Sequence, residues 1–141
     1  NYDGESDWPI IRVGDVLLLY AELMNELHGP SETAVKYLNM TRQRAGIPDY
    51  TLAELSTRYL FREALRKERR LELAFENQRF FDLLRWGIAT RTINDFLTDK
   101  EASYYSTYNY TINPIVSWQL RLPIPQSVIN INPDVAQNVG Y

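Results

Sequence analysis

The chain has 141 residues and a formal net charge of -3, with 45% hydrophobic and 23% charged residues. These values are ordinary for one folded domain and exclude wholesale disorder. The acidic balance excludes a broad basic surface for nucleic acid, and the absence of cysteine excludes disulfides, cysteine-ligated zinc and thiol catalysis.

The first predicted element is an amphipathic helix over residues 12–28, ended by Gly29-Pro30. Leu18, Leu19 and Leu23 widen its apolar stripe, so we expect this helix to pack against more than one neighbour. The longest apolar run, residues 16–21, is far shorter than the roughly 18 residues that a membrane-spanning helix requires. The core face expected on the helix consists of Val13, Val16, Leu17, Tyr20, Ala21, Met24 and Leu27.

A second helix is predicted to begin after Ser31, a natural N-cap, and to end at Gly46 and Pro48. Its expected buried residues are Ala34, Val35, Leu38 and Ala45. Two helices joined by a tight turn form an antiparallel hairpin of the tetratricopeptide kind. A lone hairpin of this type cannot bury its faces, since such units obtain their core by stacking on neighbours.

A capping box at Thr51-Leu52-Ala53-Glu54 predicts a third helix that runs to about Phe75, with Ser56-Thr57 as the point at which it could be interrupted. Its expected core stripe consists of Leu60, Ala64, Leu71 and Phe75. After Asn77, which tolerates left-handed backbone geometry, the pattern predicts a short helix over residues 79–86. Gly87 ends or bends that helix, and residues 88–97 continue with helical spacing.

The last part of the chain is irregular. Prolines at positions 114, 123, 125 and 133 exclude a long helix, so we expect extended chain and turns, with one helical turn near residues 127–129. The predicted fold is therefore all-α, with residues 1–97 mainly helical and residues 98–141 forming loops and an extended Pro/Asn-rich segment.

Three glutamates, Glu68, Glu72 and Glu76, recur every four residues on the third helix, where like charges repel. A structural ion-pair network with Arg69, Arg79 and Arg85 would relieve that repulsion. The alternative is a carboxylate pair for general acid and base chemistry, as in glycoside hydrolysis. Nearby arginines would keep such carboxylates ionised, which opposes the general-acid role, so we favour the structural network and expect no catalytic residue.

The sequence offers few other chemical motifs. His28 is the single histidine, so no transition-metal site and no cofactor is expected. Four tyrosines cluster in the loop region, and their rings could stack on sugar rings or pack the loop onto the helices. These low-specificity candidates for glycan contact are Tyr104, Tyr105, Tyr108 and Tyr110.

Five separated motifs carry a family resemblance. They lie at residues 12–22 (RVGDVLLLYAE), 38–46 (LNMTRQRAG), 67–87 (KERRLELAFENQRFFDLLRWG), 122–125 (LPIP) and 137–141 (QNVGY). In this order they closely resemble the carboxyl-terminal part of the SusD/RagB family.

The resemblance implies a surface-exposed, lipid-anchored protein of the outer membrane in Bacteroidetes that binds nutrients and has no enzymatic activity. The expected ligand is an oligosaccharide, starch-like or another glycan, delivered to a partner SusC-like TonB-dependent transporter. The resemblance also implies that residues 1–141 are the carboxyl-terminal part of a longer SusD-like domain, with the lipid anchor and most glycan contacts upstream. The alternative is a tetratricopeptide-like module that binds proteins or peptides without glycan affinity.

Overall fold

The computed structural model of the protein describes residues 10–99, 107 and 113–141. Secondary structure in these ranges is helical throughout, without a strand. The elements are α1 (Val13–His28), α2 (Glu32–Arg44), α3 (Arg58–Glu72), α4 (Gln78–Arg85), α5 (Ala89–Asp99), a 3-10 turn (Ser117–Leu120) and α6 (Gln126–Ile131). The all-α prediction is confirmed. The chain divides into two compact units, Asn1–Arg79 and Phe80–Tyr141.

The core of the first unit lies between α1, α2 and α3. Ala21 of α1 and Ala34 of α2 have no exposed surface, so small side chains let the two helices of the hairpin approach closely. Phe61 and Leu65 of α3 close the core from the third side. This antiparallel arrangement is compatible with a tetratricopeptide-like hairpin.

The buried face of α1 differs from the predicted one. The helix turns Asp15, Leu18, Ala21 and Asn25 inward. Most of the predicted stripe lies on the surface instead: Val13, Val16, Tyr20 and Leu27 are exposed, together with Leu19 and Leu23. The prediction was wrong because α1 is apolar on two sides, and hydrophobic periodicity alone does not say which side meets α2 and α3.

Helix α2 begins and ends as predicted, apart from one residue. The Ser31 hydroxyl accepts a hydrogen bond from the Ala34 amide (3.2 Å). At the other end, Gly46 adopts a φ of 70°, and the amides of Gly46 and Ile47 donate to the carbonyls of Gln43 and Arg42. This is a Schellman motif, which requires left-handed backbone and therefore favours glycine. Ala45 is exposed, contrary to the prediction.

Helix α3 begins directly after Ser56-Thr57, the point of interruption that the sequence indicated, and ends before the predicted Phe75. The Thr51–Glu54 capping box forms, with hydrogen bonds of 2.7 and 3.3 Å, but it closes only a turn. The helix starts seven residues after Thr51, where the Thr57 hydroxyl caps the Leu60 amide (3.1 Å). It ends at Glu72, and the following turn contains two left-handed residues, Phe75 (φ 65°) and Asn77 (φ 60°). The prediction of left-handed geometry at Asn77 is confirmed.

The core stripe predicted for α3 was also wrong. Of its four members, Ala64 is buried, whereas Leu60 and Leu71 are exposed and Phe75 is fully exposed. Phe61, Leu65, Glu68 and Arg69 are buried in their place. As in α1, large apolar side chains occupy a face that this chain leaves open.

In the described part of the second unit, two local predictions agree with the structure. Helix α4 ends in another Schellman motif at Gly87 (φ 68°), with Ile88 donating to the Leu83 carbonyl (3.0 Å). Helix α6 contains the helical turn predicted near residues 127–129. The 3-10 turn was not anticipated; its Trp118 ring packs edge-on against Tyr141, with centroids 4.9 Å apart.

Irregular segments are held by three amide side chains, each of which bonds both backbone groups of one residue. Asn39 accepts from the Tyr50 amide (2.9 Å) and donates to the Tyr50 carbonyl (2.8 Å). Asn94 binds Ile115 and Gln137 binds Ile124 in the same way, at 2.8–3.0 Å. We call these three contacts the amide clamps. They supply the pairing that a neighbouring strand would otherwise provide.

Candidate functional site

The strongest concentration of charge lies in the first unit, where the amino-terminal end of α1 meets the carboxyl-terminal parts of α2 and α3. We call it the arginine–carboxylate cluster. Its members are Arg12, Asp15, Arg42, Arg44, Glu68, Arg69, Glu72 and Glu76. The helix ends bring these residues together from positions more than 60 apart in sequence.

Glu72 binds two arginines. Its carboxylate lies 2.5 Å from Arg12 Nη1 and 2.6 Å from Arg44 Nη2, and its side chain is only 6% exposed. Burial alone would raise the pKa of Glu72, but hydrogen bonds from Arg12 and Arg44 outweigh it and lower the pKa below its ordinary value. Glu72 is therefore an ionised structural carboxylate.

Arg12 joins α1 to the end of α3. Its Nε donates to both carboxylate oxygens of Glu76 at 2.8 Å, and its other nitrogens bind the side chain and the carbonyl of Glu72. The hydrogen bond with Glu76 is the main reason that the pKa of Arg12 lies well above its usual value. Arg12 is therefore a fixed cation at the beginning of α1.

Gly14 allows this contact to form. A Cβ atom at Gly14 would lie 2.5 Å from Glu72 Oε1 and 2.8 Å from Arg12 Nη1. The carboxylate thus approaches the first turn of α1, where the positive end of the helix dipole favours an anion. A glycine inside a helix normally weakens the helix. Here the close approach of the Glu72 carboxylate explains why a glycine occupies position 14.

Arg42 makes contacts on three sides. Its Nη1 pairs with the buried Glu68, and its Nε donates to the Pro48 carbonyl (2.7 Å). The guanidinium also stacks over the Tyr50 ring, 3.9 Å from the centroid. Arg42 therefore ties α2 to α3 and holds the loop after α2 in place.

The most deeply buried pair joins Arg69 of α3 to Asp15 of α1. The distance from Arg69 Nη1 to Asp15 Oδ1 is 2.8 Å, and the Arg69 side chain is only 3% exposed. Buried charges persist where they are paired and hydrogen-bonded. This pair fixes α1 against α3 inside the first unit.

The sequence pattern pointed to a network, and the structure supplies partly different partners. The three glutamates take arginines from the start of α1 and the end of α2, namely Arg12, Arg42 and Arg44. In the second unit, Arg85 pairs with Asp82 (2.9 Å). Arg79 is half-buried at the end of the first unit.

The arginines that pair with the three glutamates lie far from them along the chain. Arg12 precedes α1, and Arg42 and Arg44 lie in the last turn of α2. An acidic row on one helix demands cations facing it, but which distant arginines face it depends on how the helix ends meet. That juxtaposition is tertiary, so sequence spacing did not reveal it.

Chemically, the cluster is suited to holding helices rather than to proton transfer. A general acid at neutral pH needs a raised pKa, whereas the pKa of Glu72 is lowered. Within residues 10–99, 107 and 113–141, no group of three His, Asp or Glu side chains could hold a metal ion. Nor does any helix in those ranges combine the length and hydropathy needed to cross a bilayer.

Two cavities open on the first unit. One, of about 260 Å³, adjoins the arginine–carboxylate cluster and is lined by Arg12, Gly14, Leu17, Met40 and Arg44 among others. The other is a groove of about 680 Å³ between the outer side of α2 and the loop that follows it. The groove is lined by Lys36, Met40, Gln43, Asp49, Tyr50 and five neighbours. It combines apolar and polar side chains, as small-ligand sites do.

Four tyrosines were also predicted from the sequence as candidates for glycan contact. Tyr104, Tyr105, Tyr108 and Tyr110 lie outside the described residues. Their role stays a prediction from the sequence.

Comparisons with a family model, with curated proteins and with solved structures all indicate the same family. The sequence model of the SusD family matches residues 1–141. Two similar curated proteins come from Formosa agariphila: SusD-like protein P25, 38% identical over 138 residues, and SusD-like protein P2, 30% identical over 136 residues. These alignments cover 94% and 93% of this chain but only 24% and 25% of the two relatives. The chain thus spans about a quarter of their length.

Solved structures show the same relationship. A SusD-like protein from Bacteroides fragilis is 30% identical with a TM-score of 0.69, and a SusD superfamily protein from Parabacteroides distasonis is 34% identical with a TM-score of 0.70. Each similarity covers 95% of this chain, and 26% and 27% of the respective structures.

Proposed function

This chain belongs to the SusD family, and from that premise we propose that it is the carboxyl-terminal part of a nutrient-binding protein on the bacterial cell surface. The proposed ligand is an oligosaccharide. The proposed partner is a SusC-like TonB-dependent transporter, to which the ligand is delivered. In this proposal the protein is held at the outer membrane by a lipid anchor outside these residues and has no enzymatic activity.

The observation that carries the proposal is the family match over all 141 residues. It is supported by the two solved relatives, whose folds agree with this chain over 95% of its length. The charged groups add a second argument. Carboxylates that could have served a hydrolase are paired with arginines and buried, which suits a scaffold.

Within the whole protein, we assign this chain a supporting role. Its three-helix unit is held rigid by the arginine–carboxylate cluster and can position loops that contact ligand or transporter. The tyrosines at positions 104, 105, 108 and 110 are the glycan-contacting candidates that the chain itself would contribute. Flat aromatic rings stack on the apolar faces of sugars.

A peptide-binding module is the second candidate function, favoured by the groove along α2. Helix α2 forms one wall of the groove, and the exposed side chains of Lys36 and Asp49 are part of its lining. An extended peptide offers alternating polar and apolar groups to such a surface. This candidate predicts capture of peptides without affinity for glycans.

The proposed function is tested by calorimetric titration of soluble glycans into the longer protein that contains this chain. Binding of at least one oligosaccharide is expected, and no reducing sugar should be released during prolonged incubation. Tyr104→Ala and Tyr108→Ala test the loop, with Tyr59→Ala, an exposed tyrosine of α3, as the matched control. If no glycan binds and a peptide library does, the second candidate replaces the first.

A further inference from the structure

The groove along the outer side of α2 is built from two neighbouring parts of the first unit. Residues of α2 form one wall, and residues 49–52 of the loop that follows α2 form the other. Its volume of about 680 Å³ lies within the range of about 300–1,000 Å³ that is typical of small-ligand sites. None of its lining residues belongs to the arginine–carboxylate cluster, so its polar groups are separate from those that join the helices.

The aromatic ring of the groove, Tyr50, is held in a fixed position. Asn39 bonds both backbone groups of Tyr50, and the Arg42 guanidinium stacks on the ring, 3.9 Å from the centroid. Arg42 is not among the lining residues, so the part of the ring that it leaves uncovered is the part available to the groove. The Tyr50 hydroxyl has no hydrogen-bond partner within residues 10–99, 107 and 113–141. A ring that is already ordered can bind a flat apolar surface without a further loss of conformational freedom.

The exposed charged side chains of the groove are open to a ligand. Glu32, Lys36 and Asp49 form no ion pair with any described residue. The one hydrogen bond of the Asp49 side chain runs from Gln43 Nε2 to Asp49 Oδ2 (2.7 Å), joins the two walls and leaves Oδ1 available. One cation beside two anions provides no field of a single sign. This mixture suits an uncharged ligand rich in hydroxyl groups, because each hydroxyl both donates and accepts hydrogen bonds.

We propose that this groove is a binding site for an uncharged oligosaccharide. The Tyr50 ring stacks on the apolar face of one sugar, while Asp49, Lys36 and Glu32 bond to sugar hydroxyl groups. The ligand class rests on the proposed function; the position of the site rests on the groove alone. Residues 32–52 supply the whole site, without any contribution from the four tyrosines at positions 104–110.

The backbone of the loop favours a sugar over a peptide in this groove. An extended peptide is recognised largely through hydrogen bonds to free backbone groups. Here the amide and the carbonyl of Tyr50 are both bonded by Asn39, and the amide of Thr51 is bonded by Glu54 (2.7 Å). A helical peptide would need a continuous apolar wall, which the charged side chains of α2 interrupt. Side chains and one aromatic ring therefore remain as the contact groups.

The test uses the methyl group of Met40, a lining residue, as a local probe. The longer protein that contains this chain is labelled with ¹³C at its methionine methyl groups and titrated with maltohexaose, cellohexaose, laminarihexaose and xylohexaose. The signal that disappears in Met40→Leu identifies the Met40 methyl group. Met24, which packs against the core, is the internal control. We expect at least one of these sugars to shift the Met40 signal saturably and to leave the Met24 signal in place.

Two variants test whether the shift comes from the groove. Asp49→Ala removes a charged hydrogen-bonding group and Tyr50→Leu removes the stacking ring, so each should raise the midpoint of the Met40 titration by about tenfold or more. The matched controls are Glu63→Ala and Tyr59→Leu, which change an exposed carboxylate and an exposed tyrosine of α3. These controls should leave the midpoint unchanged. Because Asp49 is exposed, its variant guards against a Tyr50 variant that fails to fold.

The remaining outcomes overturn the inference. If none of the four sugars shifts the Met40 signal while calorimetry records binding, the groove is not a site and the proposed function stands. If calorimetry also records no binding, the proposed function is refuted as well. A Met40 shift that both groove variants leave unchanged would show an effect transmitted from elsewhere. A Met40 shift produced by a hexapeptide library, and by no sugar, would assign the groove to the peptide-binding candidate.

Discussion

At the scale of single residues, charged side chains account for the joints between helices. Arg12 and Arg42 each bind more than one element, and each does so with a guanidinium whose several donors have fixed directions. Lysine, with one ammonium group, could not reproduce this pattern. The uncharged residue at the same joint is Gly14, whose missing side chain makes room for Glu72.

We predict that Gly14→Ala destabilises the chain by about 1–2 kcal/mol, although alanine favours helix more than glycine. The new methyl group would force the Glu72 carboxylate away and lengthen its bonds to Arg12 and Arg44. Urea unfolding of Gly14→Ala, Glu72→Ala and the double variant measures the coupling. In the Glu72→Ala background, Gly14→Ala should be neutral or stabilising. An equal loss in both backgrounds would exclude the proposed contact as the cause.

At the scale of elements, α1 and α3 are joined through a buried pair as well as through apolar contacts. Asp15 and Arg69 occupy positions of the core face where a periodicity rule expects apolar residues. Polar residues on the inner face and apolar ones on the outer face explain why the helix boundaries of α1 were predicted correctly and its buried face was not. Burial depends on the neighbour, and sequence pattern gives only the candidates.

We predict that Asp15→Ala lowers the free energy of unfolding by about 3–5 kcal/mol, because it removes a partner of the buried Arg69. The matched control is Glu63→Ala, which removes the exposed carboxylate of the Arg66–Glu63 pair on α3, the helix that also carries Arg69. Exposed pairs contribute at most about 1 kcal/mol. Thermal or urea unfolding followed by helical circular dichroism compares the two. Similar losses for both variants would show that burial of the Asp15–Arg69 pair is energetically unimportant.

At the scale of the whole molecule, exposed hydrophobic residues follow a pattern. The outer faces of α1 and α3, and the turn after α3, carry several residues that the sequence predicted as core, among them Val13, Val16, Leu71 and Phe75. Most of the helices, the Ser31 cap, the helix end at Gly87 and the left-handed geometry at Asn77 were predictable, since each depends on local chemistry. The Thr57 cap of α3 and the 3-10 turn were not predicted. The ion-pair partners and the buried faces were not, since both depend on which helices meet.

Acid should destabilise the first unit, which contains three carboxylates with lowered pKa values. Glu26, Glu54 and Glu72 each have a pKa lowered below the ordinary value of 4.5, mainly through hydrogen bonds from Arg62 and Thr51 for the first two and from arginines for Glu72. Groups with lowered pKa values stabilise the folded state above their unfolded pKa, and that stabilisation is lost as the pH falls through the folded value. The free energy of unfolding should therefore be nearly constant above about pH 5 and should decrease as the pH falls below about 4.5.

The measurement is the urea midpoint between pH 3 and pH 7 at constant ionic strength. Glu72→Gln should lower stability at neutral pH and reduce the acid slope, because it removes one of the titrating carboxylates. Glu63→Gln serves as the control, because the Glu63 side chain is exposed. An unchanged slope in Glu72→Gln would place the acid sensitivity elsewhere.

The amide clamps have a consequence for how this sequence can evolve. Each clamp recognises the backbone of Tyr50, Ile115 or Ile124 and ignores the side chain that the residue carries. Any amino acid except proline can supply the same amide and carbonyl. The clamps therefore restrict sequence drift at Asn39, Asn94 and Gln137 and place no demand on the side chains of Ile115 and Ile124, whereas the contact with Arg42 separately holds the Tyr50 ring. The loops can acquire new surface chemistry, and hence new ligands, without losing their attachment to the helices.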